Sequence, residues 1–376
     1  MRPDCAFSDV RNGDTTFEKQ IYHLRSLLER SARELEAAGK PDEALSRYLA
    51  ALQIARHLRQ GTGTWLWGEA NFVEEWIYRD LTAWAAQPGQ SRERILAAGK
   101  QLDELEAERP YSIEAIQADY LRLREIVLGG PAAIASSGVD EWKASQAIAW
   151  SLLPWERDRA LRLLNYCTFS DSQYLYDVRW LPAADVPVGD GLRAVYRDPT
   201  VYGDSESRWL RTTFLLSPFY SLHSSAWLGM NSAKLETRRR ATHVIMAIEA
   251  WKLDHHGELP HRLDELVDDY LSRLPNDPFS GVPFRYVPKG MPAPPALSPH
   301  DAGEWPAGEI PRKAFIWSAG EHVRIGLPPV DEMPAAIAAG MPLKQGDADI
   351  IDDQGHWRRP ESEYDVWLSG QWFEIP

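Results

Sequence analysis

The chain has 376 residues, with 41 Lys and Arg against 55 Asp and Glu, for a formal charge of −14 with histidine neutral. With 44% apolar and 26% charged residues, it has the composition of a folded protein with enough chain for two or three domains, which argues against global disorder. No dense Lys/Arg block offers a surface that would release counterions from a phosphate backbone, so nucleic acid is excluded as the expected partner.

Cys5 and Cys167 have no metal-ligand spacing and define no disulfide framework. The opening MRPDCAFSDV lacks the apolar stretch of roughly 7 to 15 residues that a signal peptide needs. No clean apolar run of about 20 residues follows it. The sequence therefore predicts no membrane span, and it is compatible with an anchor removed from before the first residue.

From Thr16 to Arg59 apolar residues recur at three and four, from Leu24, Leu27, Leu28 and Leu35 to Ala44, Leu45, Tyr48, Ala51, Leu52 and Ala55. This predicts a helical hairpin. Its break is Gly39-Lys40-Pro41-Asp42: glycine suits a helix end, proline the first turn of the next helix, and Asp42 and Glu43 its positive end. The segment GKPDEALSRYLAAL (Gly39 to Leu52) resembles the second half of a tetratricopeptide repeat, with Ala44, Tyr48 and Ala51 in the packing places. No second copy follows at a spacing of about 34 residues, so a packed hairpin is expected rather than a binding solenoid.

Helical patterns continue through Trp65, Phe72, Trp76, Tyr78, Leu81 and Trp84, then from Arg92 to Glu108 and from Ile113 to Leu128. The punctuation Gly129-Gly130-Pro131 suggests the edge of a helical domain. Two further helical pieces are separated by Pro154, with Glu156 and Asp158 in the first turn of the second. Leu181 to Ser207 reads as irregular. Thr212 to Ala233 is a window of 22 residues without Asp, Glu, Lys or Arg; Pro218, His223 and its Ser and Thr residues make it a buried or interfacial segment rather than a spanning one.

The next helix places Leu235, Ala241, Val244, Ile245, Ile248 and Trp251 on one face, with Arg238, Arg239, Arg240, Glu249 and Lys252 largely outside that stripe. It stops at Gly257, before Leu259-Pro260. A shorter helix with Leu263, Leu266, Val267 and Leu271 is expected next. In LPNDPFSGVPFRYV, turn formers from Pro275 to Gly281 then lead into a strand at Phe284, Tyr286 and Val287.

This order resembles the globular half of the major pseudopilin of type II secretion, and planctomycete-type envelope proteins with a pseudopilin-like C-terminal domain. AIEAWKLDHHGELP (Ala247 to Pro260), LDELVDDYLSRLPNDPFSGVPFRYV (Leu263 to Val287) and KAFIWSAGE (Lys313 to Glu321) carry the resemblance, over residues 235 to about 357. Leu259 stands where the family uses Tyr. The resemblance implies a long helix against a small antiparallel sheet, an extracytoplasmic location and protein partners. It also implies a calcium site, with Asp347 and Asp349 in GDADIIDDQGHW as candidate ligands and Asp352 and Asp353 nearby. Acidic, oxygen-rich loops suit that hard cation. After Gly320 the sequence departs from the family pattern, reading Glu321-His322-Val323-Arg324 and then a Pro/Ala-rich insertion. About 230 residues of helical protein also stand where the family has its hydrophobic filament helix.

Rival readings have specific carriers. His255, His256 and His261, among Asp254, Glu258, Asp264 and Glu265, suggest zinc hydrolysis, but adjacent histidines on a helix diverge and helical zinc sites use i and i+4. The chain's 16 tryptophans suggest carbohydrate chemistry, for which Glu74-Glu75 and Asp268-Asp269 are the acid pairs. Neighbours on a helix face apart, and Trp76, Trp84, Trp142, Trp150 and Trp251 read as core. Ser221, His223 and Ser224 lack a nucleophile elbow, and Gly61, Gly63 and Gly68 lack the ending of a phosphate loop.

The fold expected is α+β: a helical domain with a repeat-like hairpin over residues 1–130, a helical to irregular middle over 131–233, and a pseudopilin-like α+β domain over 234–376. The function expected is a non-enzymatic structural or interaction component of a bacterial cell envelope. The alternatives are a repeat-type adaptor, with an exposed groove lined by Tyr48, Trp65 and Trp76, and a hydrolase acting on carbohydrate or peptide.

Overall fold

A computed structural model describes residues 15–107, 113–137, 141–178, 225–278, 283–289, 314–318, 350–351, 357–358 and 371–376. The chain divides into two compact units, residues 1–80 with 101–235, and residues 81–100 with 236–376. The described residues are mostly helical, with a small antiparallel sheet, as an α+β chain requires.

In the first unit, α1 (Thr15–Ala37) and α2 (Pro41–Arg59) form the hairpin predicted from periodicity, with Pro41 in the first turn of α2 and Asp42 and Glu43 beside it. Ala44, Tyr48 and Ala51 are buried in it. α3 (Thr64–Ala85) completes a three-helix core of Ile21, Ala55, Leu58, Leu66, Ala70 and Val73. α4 is Arg92–Ala107 and α5 is Ile113–Ser136. The N-terminus of α3 is held by α5: the Thr64 backbone N–H and hydroxyl both donate to Asp119 Oδ2, at 2.9 and 2.7 Å. A carboxylate there meets the positive end of a helix and unsatisfied amides. Gly63 makes room for it, since a Cβ at that position would lie 2.2 Å from Asp119 Oδ1.

The Gly129-Gly130-Pro131 break kinks α5 at Gly130 (φ 62°, ψ −144°). The core runs on across it: Leu123, Ile126 and Val127 pack with Ile134, with Ala144 and Ala147 of α6 (Glu141–Ser151), and with Ala160 and Leu164 of α7 (Pro154–Val178). Pro154 opens α7 as expected, with Glu156 in its first turn.

The second unit is built on α8 (Ser225–Asp254). Of the uncharged window, residues 225–233 lie in this helix and the rest lies outside the described residues. Its apolar stripe, Ala241, Val244, Ile245, Ala247 and Ile248, packs with Leu263, Leu266, Phe284, Ala314, Ile316, Phe373 and Ile375. The sheet has the order β1 (Arg285–Val287), β2 (Phe315–Ser318), β5 (Gln371–Glu374), antiparallel throughout, with Tyr286 opposite Ile316 and Ile316 opposite Phe373. A separate pair, β3 (Ile350–Ile351) and β4 (Trp357–Arg358), joins Ile350 to Arg358. All four residues of β2 are buried, so this central strand is covered on both faces. The C-terminal strand, with no counterpart in the sequence reading, provides Phe373, edge-to-face with Phe284 at 6.4 Å, and Ile375.

Three sequence expectations are corrected here. The charged side of α8 does not face water: Arg240 and Glu249 are buried, Arg240 bonded to Glu236 at 2.5 Å and Glu249 to Lys252 at 2.9 Å. Ion pairing one turn apart lets the helix be covered nearly all round. The short helix after Pro260 is a single 3-10 turn, Leu263–Leu266. Beyond it Asp268 takes φ 76° and its N–H donates to Leu271 O at 2.8 Å, which turns the chain out of helix. Trp76 and Trp142 are exposed rather than core, whereas Trp84 is fully buried and Trp150 and Trp251 are half-buried.

The first unit holds carboxylates in unfavourable surroundings. Asp80 is buried, 3.5 Å from Arg33, and its Oδ2 has no hydrogen-bond partner among the described residues. Burial and then the charge of Glu29 raise its pKa, with Arg33 opposing. A raised carboxyl pKa means that the folded state binds the extra proton, so its contribution to stability falls as pH rises from the unfolded value of about 3.9 through the folded one. Asp80→Asn is expected to raise the melting temperature at about pH 8 and to lose that advantage near about pH 3, where both forms are neutral. Melts of the two proteins across pH measure it; equal curves at all pH values would refute it.

Candidate functional site

A buried polar site that joins helix, turn and strand is the Leu274-Pro275-Asn276-Asp277 turn of the second unit. Asp277 is almost fully buried and accepts a hydrogen bond from Ser318 Oγ at 2.7 Å, which ties the turn to the end of β2. Arg240 of α8 donates to Asn276 O at 2.7 Å while holding Glu236, and Glu236 also receives Arg239 at 2.7 Å. A bridge between Asn276 and Pro283 closes the loop that leads into β1. On β1, Arg285 is buried opposite Trp317, its guanidinium 5.1 Å from the indole centroid. Burial pushes its pKa down to about 10, with Asp277 opposing the shift. Helix, turn and strand thus share one buried charge network. The Ser318 hydroxyl donates to an acid rather than to a histidine base, so this contact lacks the nucleophile–base pair of covalent catalysis.

A second cluster lies where α8 ends. The helix stops with His256 at φ 56° and Gly257 at φ 89°, and the Gly257 N–H reaches back to Lys252 O at 2.7 Å. Glycine is the residue that takes this conformation without a Cβ penalty. His255 stacks on Trp251, with centroids 3.7 Å apart and planes 6° apart, and its Nδ1 lies 3.0 Å from Trp251 O. Tyr270 tilts against the same indole at 5.6 Å and donates to Asp254 Oδ2 at 2.6 Å. Arg92 of α4 pairs with Asp254 at 3.0 Å and donates to Asp269 O at 3.1 Å. The Tyr270 pKa is pushed up to about 12, by burial and then by Asp254.

The histidines of the zinc reading do not converge here. His255 is in the stack, His256 is exposed in its left-handed turn, and His261 is exposed with its backbone N–H on Glu265 at 3.1 Å. Among the described residues no group of three or more His, Cys, Asp or Glu could hold a metal ion. Asp347 and Asp349, the calcium candidates, lie outside the described residues, as do Asp352 and Asp353; of their segment the strands flanking the turn are described.

The acid pairs also separate. Glu74 is fully buried and bonded to Arg59, which donates to Asn71 at 2.6 Å and lies 5.2 Å from the Trp67 ring, whereas Glu75 is exposed. Asp268 and Asp269 are both exposed in the turn held by Arg92. The groove expected of a repeat adaptor lacks one wall: Tyr48 is buried and its hydroxyl donates to Glu36 at 3.0 Å. Trp76 is exposed, with the Arg25 guanidinium 3.8 Å from its ring centroid.

Sequence reasoning missed Ser318, Arg240 and Arg285 as members of one site. The Asp-Pro turn and the strand ending in Ser318 were both legible, but a pairing 41 residues apart has no local signature. Ser318→Ala removes one hydrogen bond from a buried carboxylate and is expected to destabilise the chain by about 1 to 3 kcal/mol, read from urea unfolding. A variant as stable as the parent would remove this contact from the account.

No family model matches the chain, and no curated protein or solved structure shows a match to it either.

Proposed function

We propose that the chain is a non-enzymatic structural or protein-interaction component of a bacterial cell envelope, with a pseudopilin-like C-terminal unit acting as scaffold and the helical unit presenting surface to partners. The observation that carries this reading is the contact between Ser318 and Asp277. The Leu-Pro-x-Asp-Pro turn and the Ser-x-Gly strand end, on which the sequence resemblance rests, meet in space under a long helix packed on a small antiparallel sheet. The chemistry of the site agrees with a scaffold: Asp277, Arg240, Glu236 and Arg285 are buried, Arg240 bonded to Glu236 and Asp277 to Ser318. No helix among the described residues is long and apolar enough to cross a membrane.

Location is the first test. In cells of the source organism, antibody to the chain should detect a protein that resists protease in intact cells and is digested once the envelope is permeabilised. Protection that persists until the cytoplasmic membrane is lysed would overturn the envelope assignment.

The calcium site implied by the resemblance is part of the same proposal, with Asp347 and Asp349 as its ligands. A ligand at 100 times its Kd stabilises a protein by about 2.7 kcal/mol. Chelator-treated protein should therefore melt higher on addition of calcium, and Asp347→Ala and Asp349→Ala should each abolish the rise. A melt indifferent to calcium would remove the metal and leave the scaffold reading standing.

A further inference from the structure

In the first unit, α1 meets α2 and α3 through a group of charges in which three acids surround one arginine. Arg33 reaches Glu29, one turn earlier, at 2.6 Å and Asp80 of α3 at 3.5 Å, and its own side chain is 58% exposed. Glu29 is bound a second time, by Arg25 at 2.8 Å. Glu36, one turn after Arg33, accepts the Tyr48 hydroxyl of α2 at 3.0 Å. Asp80 is the least well provided of the three. It is 7% exposed, its Oδ1 stands at the long limit of a hydrogen bond from Arg33, and its Oδ2 has no hydrogen-bond partner among the described residues.

The charges that act on Asp80 are Glu29 and Arg33 from α1 and Arg79 from its own helix, while Glu36 feels Asp80 and Arg33, and α2 adds Tyr48. Burial first, and the charge of a neighbouring carboxylate after it, raise the pKa of Asp80 and of Glu36, with Arg33 opposing in both and the Tyr48 bond opposing in Glu36. When α1 lifts, both acids return to water. The closed helix therefore holds a proton more tightly than the open one. Its extra stability is fully present below the open-state value of about 3.9 for Asp and is lost as pH rises through the raised closed-state value. The apolar hold on α1 is modest for a helix of 23 residues: Ile21 and the small Ala32 are buried, and Leu28 and Leu35 are half-buried. The charged junction thus weighs in whether the helix stays down.

We propose that the contact of α1 with α3 is a proton-operated latch, in which a proton on Asp80 holds α1 down and its loss to solvent leaves three carboxylates around Arg33 and loosens the helix. Protonated Asp80 no longer competes with Glu29 for Arg33. The latch lies within the helical unit and is independent of the envelope reading. It also differs from a change in overall stability in being local: α1 opens while the core shared by α5, α6 and α7 stays closed.

The test is amide hydrogen exchange of the full chain, read helix by helix at a series of pH values and corrected for the intrinsic exchange rate. Protection of the α1 amides should rise as pH falls from about 8 towards about 4, by up to about tenfold per pH unit for one linked proton, while that of α5 to α7 does not follow. Asp80→Asn should give α1 its acid-level protection at about pH 8 and flatten the response. Glu29→Gln, which frees Arg33 for Asp80, should move the response to lower pH, and it keeps the latch testable if asparagine is not tolerated at position 80. Circular dichroism verifies that each variant is as helical as the parent. Protection of α1 that is independent of pH, a response shared equally by α5 to α7, a parental response retained in Asp80→Asn, or no shift in Glu29→Gln would each overturn the inference.

Discussion

The second unit depends on one buried carboxylate. A carboxyl buried as Asp277 is needs hydrogen-bond partners, and Ser318 at the end of the central strand supplies one of them at 2.7 Å. That bond fixes how far β2 runs and where the turn after Leu274 sits. Arg240 then fastens the same turn to α8 through Asn276, and Arg285 lies on the adjoining strand. The helix can be buried nearly all round because its charged residues have partners within one turn or across this junction. The apolar layer from Ile245 to Ile316 and Phe373 gives the unit its driving force; the polar junction selects one arrangement of that layer.

The first unit uses buried charge in the same manner. Arg59 and Glu74 are withdrawn from water between α2 and α3, with Asn71 accepting a second bond from Arg59. Asp119 caps α3 from α5, 55 residues away. A buried pair contributes little net stability against an apolar substitute, but removing one partner strands the other, so such pairs are costly to misplace. Small residues do the remaining work: Ala44, Ala51 and Ala55 bring the hairpin helices close, and Gly63 lets Asp119 approach.

These two arrangements bear on function by elimination and by contrast. The acids and histidines singled out for hydrolysis are, among the described residues, separated or bonded within the fold.

The sequence by itself determined the helices. Their boundaries at Gly39-Pro41, Pro154 and Gly257 follow from local backbone chemistry, in which glycine ends a helix, proline begins one and acids favour its first turn. It also determined the apolar stripe of α8 and the strand character of Phe284 to Val287. Tertiary structure decided what no periodicity contains, because a stripe says which residues share a face and not what will cover it. Arg240 and Glu249 went inside since partners were near, and Trp142 stayed outside since, among the described residues, no element packs over that face of α6. The C-terminal strand entered the sheet beside β2 because Phe373 and Ile375 complete a core whose members on α8 lie more than a hundred residues earlier. The meeting of Asp277 with Ser318 is of the same kind: each residue was readable in its own turn, and only the closed fold joins them.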